Sequence, residues 1–119
     1  MNSDSEKRIS PRKTLKTRVV FEDEFSEGFL TFLSTDISLS GIFIESEIPL
    51  QIGTRVFLKF SLYEGDPPIQ VSGVIARLIA RRRGPGRRKG GFKTGIGIRF
   101  LGLLSEDLNR IERFITGVG

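Results

Sequence analysis

The chain has 119 residues, 38% of them apolar with ten phenylalanines, and a net charge of +5, yet no cysteine and no histidine. That length holds one domain with a modest core, and the two missing residue types exclude disulfides, thiolate or imidazole metal sites and a histidine general base. No apolar run approaches the roughly 18–20 residues of a membrane span, and the N-terminus lacks the apolar centre of a signal peptide; a cytoplasmic domain without membrane insertion is expected.

The first residues, MNSDSEKRISP, are polar and aperiodic, so residues 1–14 read as a flexible arm ahead of a single domain over 15–119. LKTRVVF (15–21) has the β-branched and aromatic content of a first strand, and EDEFSEG is a turn ending at Gly28. FLTFLSTDIS and GIFIES then form consecutive antiparallel strands. Residues 54–62 alternate, with Val56, Leu58, Phe60 and Leu62 on one side and Arg55, Phe57, Lys59 and Ser61 on the other, the period of a half-buried strand. EGDPP breaks the chain because proline supplies no ladder N–H. IQVSGVIARLIA is a long strand whose interior Gly73 suggests a bulge or bend.

RRRGPGRRKGGFK (81–93) holds four glycines and seven cations, cannot bury a face, and reads as a long loop at a hairpin end. GIGIRF resumes the alternation, with Ile96, Ile98 and Phe100 inward and two glycines leaving the other side bare. In SEDLNRIERFITGVG the period changes to a helical one: Leu108, Ile111 and Ile115, with Phe114 alongside, make one apolar stripe of a helix over 105–116. Ser105 suits its N-cap and Gly117 its end. The whole is mostly β: roughly six short antiparallel strands closed into a small barrel, with a C-terminal α-helix covering part of it.

The cations are unevenly placed. Six of the nineteen lie between Lys7 and Arg18 and seven between Arg81 and Lys93, a distribution suited to an anionic partner: a nucleotide, nucleic acid, a phosphate-bearing surface or an acidic protein. In RISPR, Pro11 pushes Ser10 toward extended conformations. Arg8 and Arg12 are therefore two guanidinium forks on a mobile arm, able to take phosphate or the O6/N7 edge of guanine, or else simply part of a solvated tail. In TDISLSG (35–41), Asp36, Ser38 and Gly41 have the chemistry of an ordinary strand-to-strand turn in which glycine takes positive φ. They also suit a binding wall, since a carboxylate accepts both N1–H and N2–H of guanine while hydroxyls and turn amides hold phosphate.

Taken together, RISPR followed by two strands and DISLSG resembles the PilZ domain family, which is marked by RxxxR in an N-terminal arm and [D/N]xSxxG some twenty-odd residues later. The matching positions are Arg8 and Arg12, then Asp36, Ser38 and Gly41, and the order GTRVFLKFSL, VSGVIARL, GIGIRF and final helix extends the resemblance over roughly residues 6–116. It implies a six-stranded antiparallel split barrel that binds the bacterial second messenger cyclic di-GMP and signals to a downstream protein partner. Carried over, Arg8 and Arg12 clamp guanine and phosphate, Asp36 takes the guanine edge, Ser38 donates to the ligand and Gly41 lets the backbone approach. Lys7, a basic residue before the first arginine, implies a stacked pair of ligand molecules. Ser40, Arg77 and Arg99 are candidates for further contacts, or else solvated surface residues. No cofactor and no metal are implied.

The 81–93 segment departs from the family pattern in length and charge. It reads either as a solvated loop or as a surface for nucleic acid or an acidic protein, carried by Arg81, Arg82, Arg83, Arg87, Arg88 and Lys89. With only Phe92 it lacks the interleaved aromatics of a base-stacking platform. A catalytic role is not expected: no histidine, cysteine or carboxylate pair stands against a plausible nucleophile.

Overall fold

The computed structural model describes residues 11–23, 25, 27–82 and 92–117, with the backbone alone for 80–82 and 92. In chain order the elements are β1 (Lys13–Thr14), β2 (Arg18–Glu22), β3 (Gly28–Ile37), β4 (Gly41–Ser46), β5 (Arg55–Phe60), β6 (Ile69–Arg82), β7 (Phe92–Leu101) and the helix α1 (Ser105–Thr116). Every pairing is antiparallel, and the order β1-β3-β2-β5-β6-β7-β4 closes on itself because β3 also pairs with β4. Strands β2–β7 are thus the six-stranded barrel that the sequence implies, and β1 is an outside strand laid along β3.

Period-two patterning fills the barrel. Ile42 and Ile44 of β4, Leu58 and Phe60 of β5, and Ile96, Ile98 and Phe100 of β7 are all buried, as the alternation predicts. Each such side chain contributes on the order of 1.5–3 kcal/mol by leaving water. Phe21 and Phe32 meet with ring centroids 4.7 Å apart, and Phe60 stacks on Phe100 at 6.0 Å.

Several local expectations are corrected. The glycine of β6 is not a bulge: Gly73 pairs regularly with Phe100, and a side chain there would press on Ile98 Cγ2 and the Arg99 carbonyl. The irregularity of β6 falls at Ala76 instead. Ser105 is already inside α1, whose N-cap is Leu104 with no side-chain hydrogen bond. Of the expected stripe the helix buries Ile111 and Phe114 and packs Ile115 against the core, but Leu108 is 38% exposed and Asp107 is buried in its stead. Two contacts fix this rotation. Phe114 packs edge-on against Tyr63 at 5.5 Å, and Arg110 ties Asp107 to the Pro67 carbonyl. Gly117 ends the helix as expected, at φ 78° with its N–H donating to the Arg113 carbonyl.

The basic hairpin is also less of a loop than it reads. Arg81 pairs with Lys93 and Arg82 with Phe92, so the two strands continue into the cationic run; Arg83, Arg87, Arg88 and Lys89 lie outside the described residues. Among the described residues no helix is long and apolar enough to cross a membrane.

Candidate functional site

One row of residues crosses four strands on the outside of the barrel. Asp36 of β3 stands opposite Phe43 of β4, Phe43 opposite Gly97 of β7, and Gly97 opposite Arg77 of β6. Directly opposed residues of antiparallel strands share a face. In the neighbouring outward row Gly41 stands opposite Arg99.

Two bulges put the charged members on this face. Ser34 of β3 is buried, so strict alternation would turn Asp36 inward as well; the register shift between Ser34 and Asp36 spends Thr35 as an extra residue and brings Asp36 out. On β6 the buried Ile75 would in the same way carry Arg77 inward, and the extra residue Ala76 turns it out. A charged residue standing in the inward phase of an otherwise regular strand is the sequence signal for each bulge.

Arg12 enters from the arm. Its Nε lies 3.6 Å from Asp36 Oδ1, and its guanidinium carbon is 5.5 Å from the centroid of the Phe43 ring. Arg77 reaches the same ring at 5.8 Å. The Thr35 hydroxyl donates to Asp36 Oδ2 at 3.1 Å, which orients the carboxylate.

The turn after β3 is held by Ser38. The Ser38 amide donates to the Gly41 carbonyl, while Ser38 Oγ accepts from the amides of Ser40 at 3.2 Å and Gly41 at 3.3 Å and bonds Ser40 Oγ at 3.1 Å. Ser38 is 8% exposed, whereas Ser40 is open to solvent. Gly41 does not take positive φ, contrary to the turn chemistry expected of it. It is required for close approach, because a Cβ at that position would overlap the carbonyl oxygen of Ile98.

These residues line one open groove of about 150 Å³ that brings Arg12, Asp36, Ser38, Ser40, Gly41, Arg77 and Arg99 together. Phe43, Ala76 and Gly97 line it too, and none of the three was expected at the site from the sequence. Gly97 is not bare, as the sequence suggested: a Cβ there would lie 2.9 Å from Phe43 Cε1 and 3.2 Å from Arg77 Cβ. Three guanidiniums face a single carboxylate, and among the described residues Arg77 and Arg99 have no carboxylate partner. The lining is therefore a positively charged trough with one carboxylate acceptor, suited to holding a polyanion that also presents N–H donors. Lys7 and Arg8 lie outside the described residues, as do Arg83, Arg87, Arg88 and Lys89 of the cationic hairpin.

The model of the PilZ domain family matches residues 6–117. No curated protein matches the chain. Among solved structures the fold is similar to the PilZ domain of YcgR from Escherichia coli with c-di-GMP, at TM-score 0.72 and 18% identity over 94% of this chain and 91% of that one. It is likewise similar to the MrkH–c-di-GMP complex of K. pneumonia, at TM-score 0.72 and 19% identity, covering 94% of this chain and 52% of that one. The Bacillus subtilis inhibitor of motility, MotI/DgrA, matches at TM-score 0.71 and 17% identity, covering 93% and 50%. The chain spans about half the length of MrkH and MotI/DgrA. With the family model covering nearly all of its length, the chain belongs to the PilZ domain family.

Proposed function

We propose that this chain is a receptor for cyclic di-GMP, holding the dinucleotide in the groove between the Arg12 arm and the outer row of the barrel. The observation that carries the reading is the meeting of both sequence motifs at one place: Arg12 of RxxxR is 3.6 Å from Asp36 of DxSxxG, beside Ser38 and Gly41. Two c-di-GMP complexes among the similar structures support it. In this reading Asp36 accepts from the guanine N1–H and N2–H, and Arg8 and Arg12 close over guanine and phosphate. Arg77 and Arg99 supply further positive charge to the phosphates. Ser38, whose oxygen already accepts from two amides, has one hydroxyl proton, within reach of the Gly41 carbonyl and Ser40 Oγ, that can turn to the ligand. Lys7 favours a stacked pair of ligands, and ordering of the arm passes the signal to a downstream protein.

Isothermal titration of the full chain with cyclic di-GMP tests this. Saturable binding is expected, weakened at least tenfold by Arg12→Ala and by Asp36→Ala. Absence of binding by the intact chain, or wild-type affinity in both variants, overturns the proposal. The stoichiometry of the same isotherm reads one ligand or two.

A further inference from the structure

Phe43 has a neutral side chain and belongs to neither motif, yet it sits between the two arginines that approach the groove from opposite sides of the sheet. Arg12 comes from the arm beyond β3, and Arg77 comes from β6 across β7. Both guanidinium carbons lie within 6 Å of its centroid, at 5.5 and 5.8 Å. The ring leans over Gly97, the one position of the row without a side chain, and its Cε1 occupies the space that a Cβ there would need. Phe43 thus has a fixed seat, and its ring is within cation–π distance of two like charges that would otherwise repel.

We infer that Phe43 is a positioning residue: it holds Arg12 and Arg77 as a fixed guanidinium pair, so that an anion entering the groove meets both without first ordering them. An unpinned arginine side chain loses rotamer freedom on binding, and that loss weakens affinity. A ring already in contact with both guanidiniums removes part of the cost in the free protein. Arg12 lies just ahead of the two-residue strand Lys13–Thr14 and is not itself paired in the ladder among the described residues, so a ring contact matters more to it than it would to an arginine in mid-sheet. Gly97 is part of the same device, since any side chain there evicts the ring from its seat.

The inference rests on the cyclic di-GMP reading for its affinity arm only. Phe43→Leu keeps an apolar side chain on β4 and removes the π-face, whereas Phe43→Tyr restores the face. In titrations with cyclic di-GMP, Phe43→Leu is expected to bind about tenfold more weakly and Phe43→Tyr to bind within a few-fold of wild type. The second readout needs no ligand. In the free protein the arginine Nε–H signals of residues 12 and 77 should be shifted by the ring current in wild type and Phe43→Tyr, and should return to ordinary positions in Phe43→Leu, with the thermal midpoint of each variant recorded alongside. Equal or tighter binding by Phe43→Leu overturns the inference, as does the absence of ring-current shifts in wild type. If wild type shows the shifts but takes up no cyclic di-GMP, the ligand assignment fails while the pinning of both arginines stands.

Discussion

Lys13 joins the two ends of the chain: its Nζ donates to the carbonyl oxygen of Phe114 at 2.9 Å and lies 4.8 Å from the centroid of that residue's ring. The carbonyls of a helix's last turn have no intrahelical amide to accept, and a cation there also meets the negative end of the helix dipole. Lys13 neighbours Arg12, and successive side chains of an extended segment point to opposite sides. The arm therefore touches the groove with one residue and the helix with the next. Lys13→Met keeps the apolar stem and removes the donor and the charge. It is expected to cost about 0.5–1 kcal/mol in urea denaturation and to speed amide exchange in residues 114–117. Unchanged exchange there would mean that the contact carries no stabilisation.

Two glycines of the site should respond differently to the same added methyl group. At Gly41 the obstacle is backbone, the Ile98 carbonyl across the β4–β7 ladder. Gly41→Ala must pry two barrel strands apart, and a loss of about 2–3 kcal/mol in global stability is expected. At Gly97 the obstacles are the side chains of Phe43 and Arg77. Gly97→Ala should leave the denaturation midpoint within about 1 kcal/mol of wild type, because side chains can move aside, while cyclic di-GMP binding falls about tenfold. The two assays run on both variants check the crossing pattern; parallel losses in the two would sink it.

What the sequence made legible follows from the physics of each feature. Residues 54–62 and 96–100 announce their inward faces because alternation in a strand is a local property, and Leu58, Phe60, Ile96 and Ile98 are buried accordingly. The groove's polar residues were visible through two motifs set some twenty-odd positions apart, and the fold brings Arg12, Asp36, Ser38 and Gly41 together. Bulges are less visible. An extra residue such as Thr35 or Ala76 has no composition of its own and shows only in the phase of its neighbours. Phe43 escaped for another reason: alternation with Ile42 and Ile44 turns it outward, but only the register that sets it on Gly97, beside Arg12 and Arg77, gives it a place in the groove. The helix was placed correctly over 105–116, but its rotation depends on Tyr63, Lys13 and Arg110 contacts that no helical periodicity contains.

Ser38 and Ser40 offer a test of structural against ligand-directed roles within one turn. Ser38 Oγ accepts from two amides and is nearly buried, so Ser38→Ala is expected to lower stability by about 1 kcal/mol as those amides lose their acceptor. Ser40 is exposed and among the described residues its hydroxyl meets only Ser38 Oγ, so Ser40→Ala should change stability by less than about 0.5 kcal/mol. Denaturation curves of both variants read the difference. A stability loss from Ser40→Ala equal to that from Ser38→Ala would show that the turn is held in some other way.

The base of the arm depends on Ser34. It is 1% exposed; its Oγ accepts from the Thr17 amide at 3.0 Å and donates to the Leu15 carbonyl, while its own amide donates to the Thr17 carbonyl at 2.9 Å. The Leu15 amide donates to the Thr35 carbonyl at 3.0 Å. These bonds fix the crossing from β1 to β2 directly beside the Thr35 bulge that presents Asp36, and Leu15 plugs the core at the same point. Ser34→Ala leaves two backbone groups near the core without their partner, an expected cost of about 1–3 kcal/mol. It should also loosen the strand that delivers Arg12. Stability and cyclic di-GMP affinity are therefore expected to fall together, whereas Arg12→Ala should lower affinity and change stability by less than about 1 kcal/mol, because its ion pair is partly open to solvent. Denaturation and titration of both variants separate the cases. If Ser34→Ala lost stability but bound like wild type, the arm's grip on the groove would not depend on how its base is anchored.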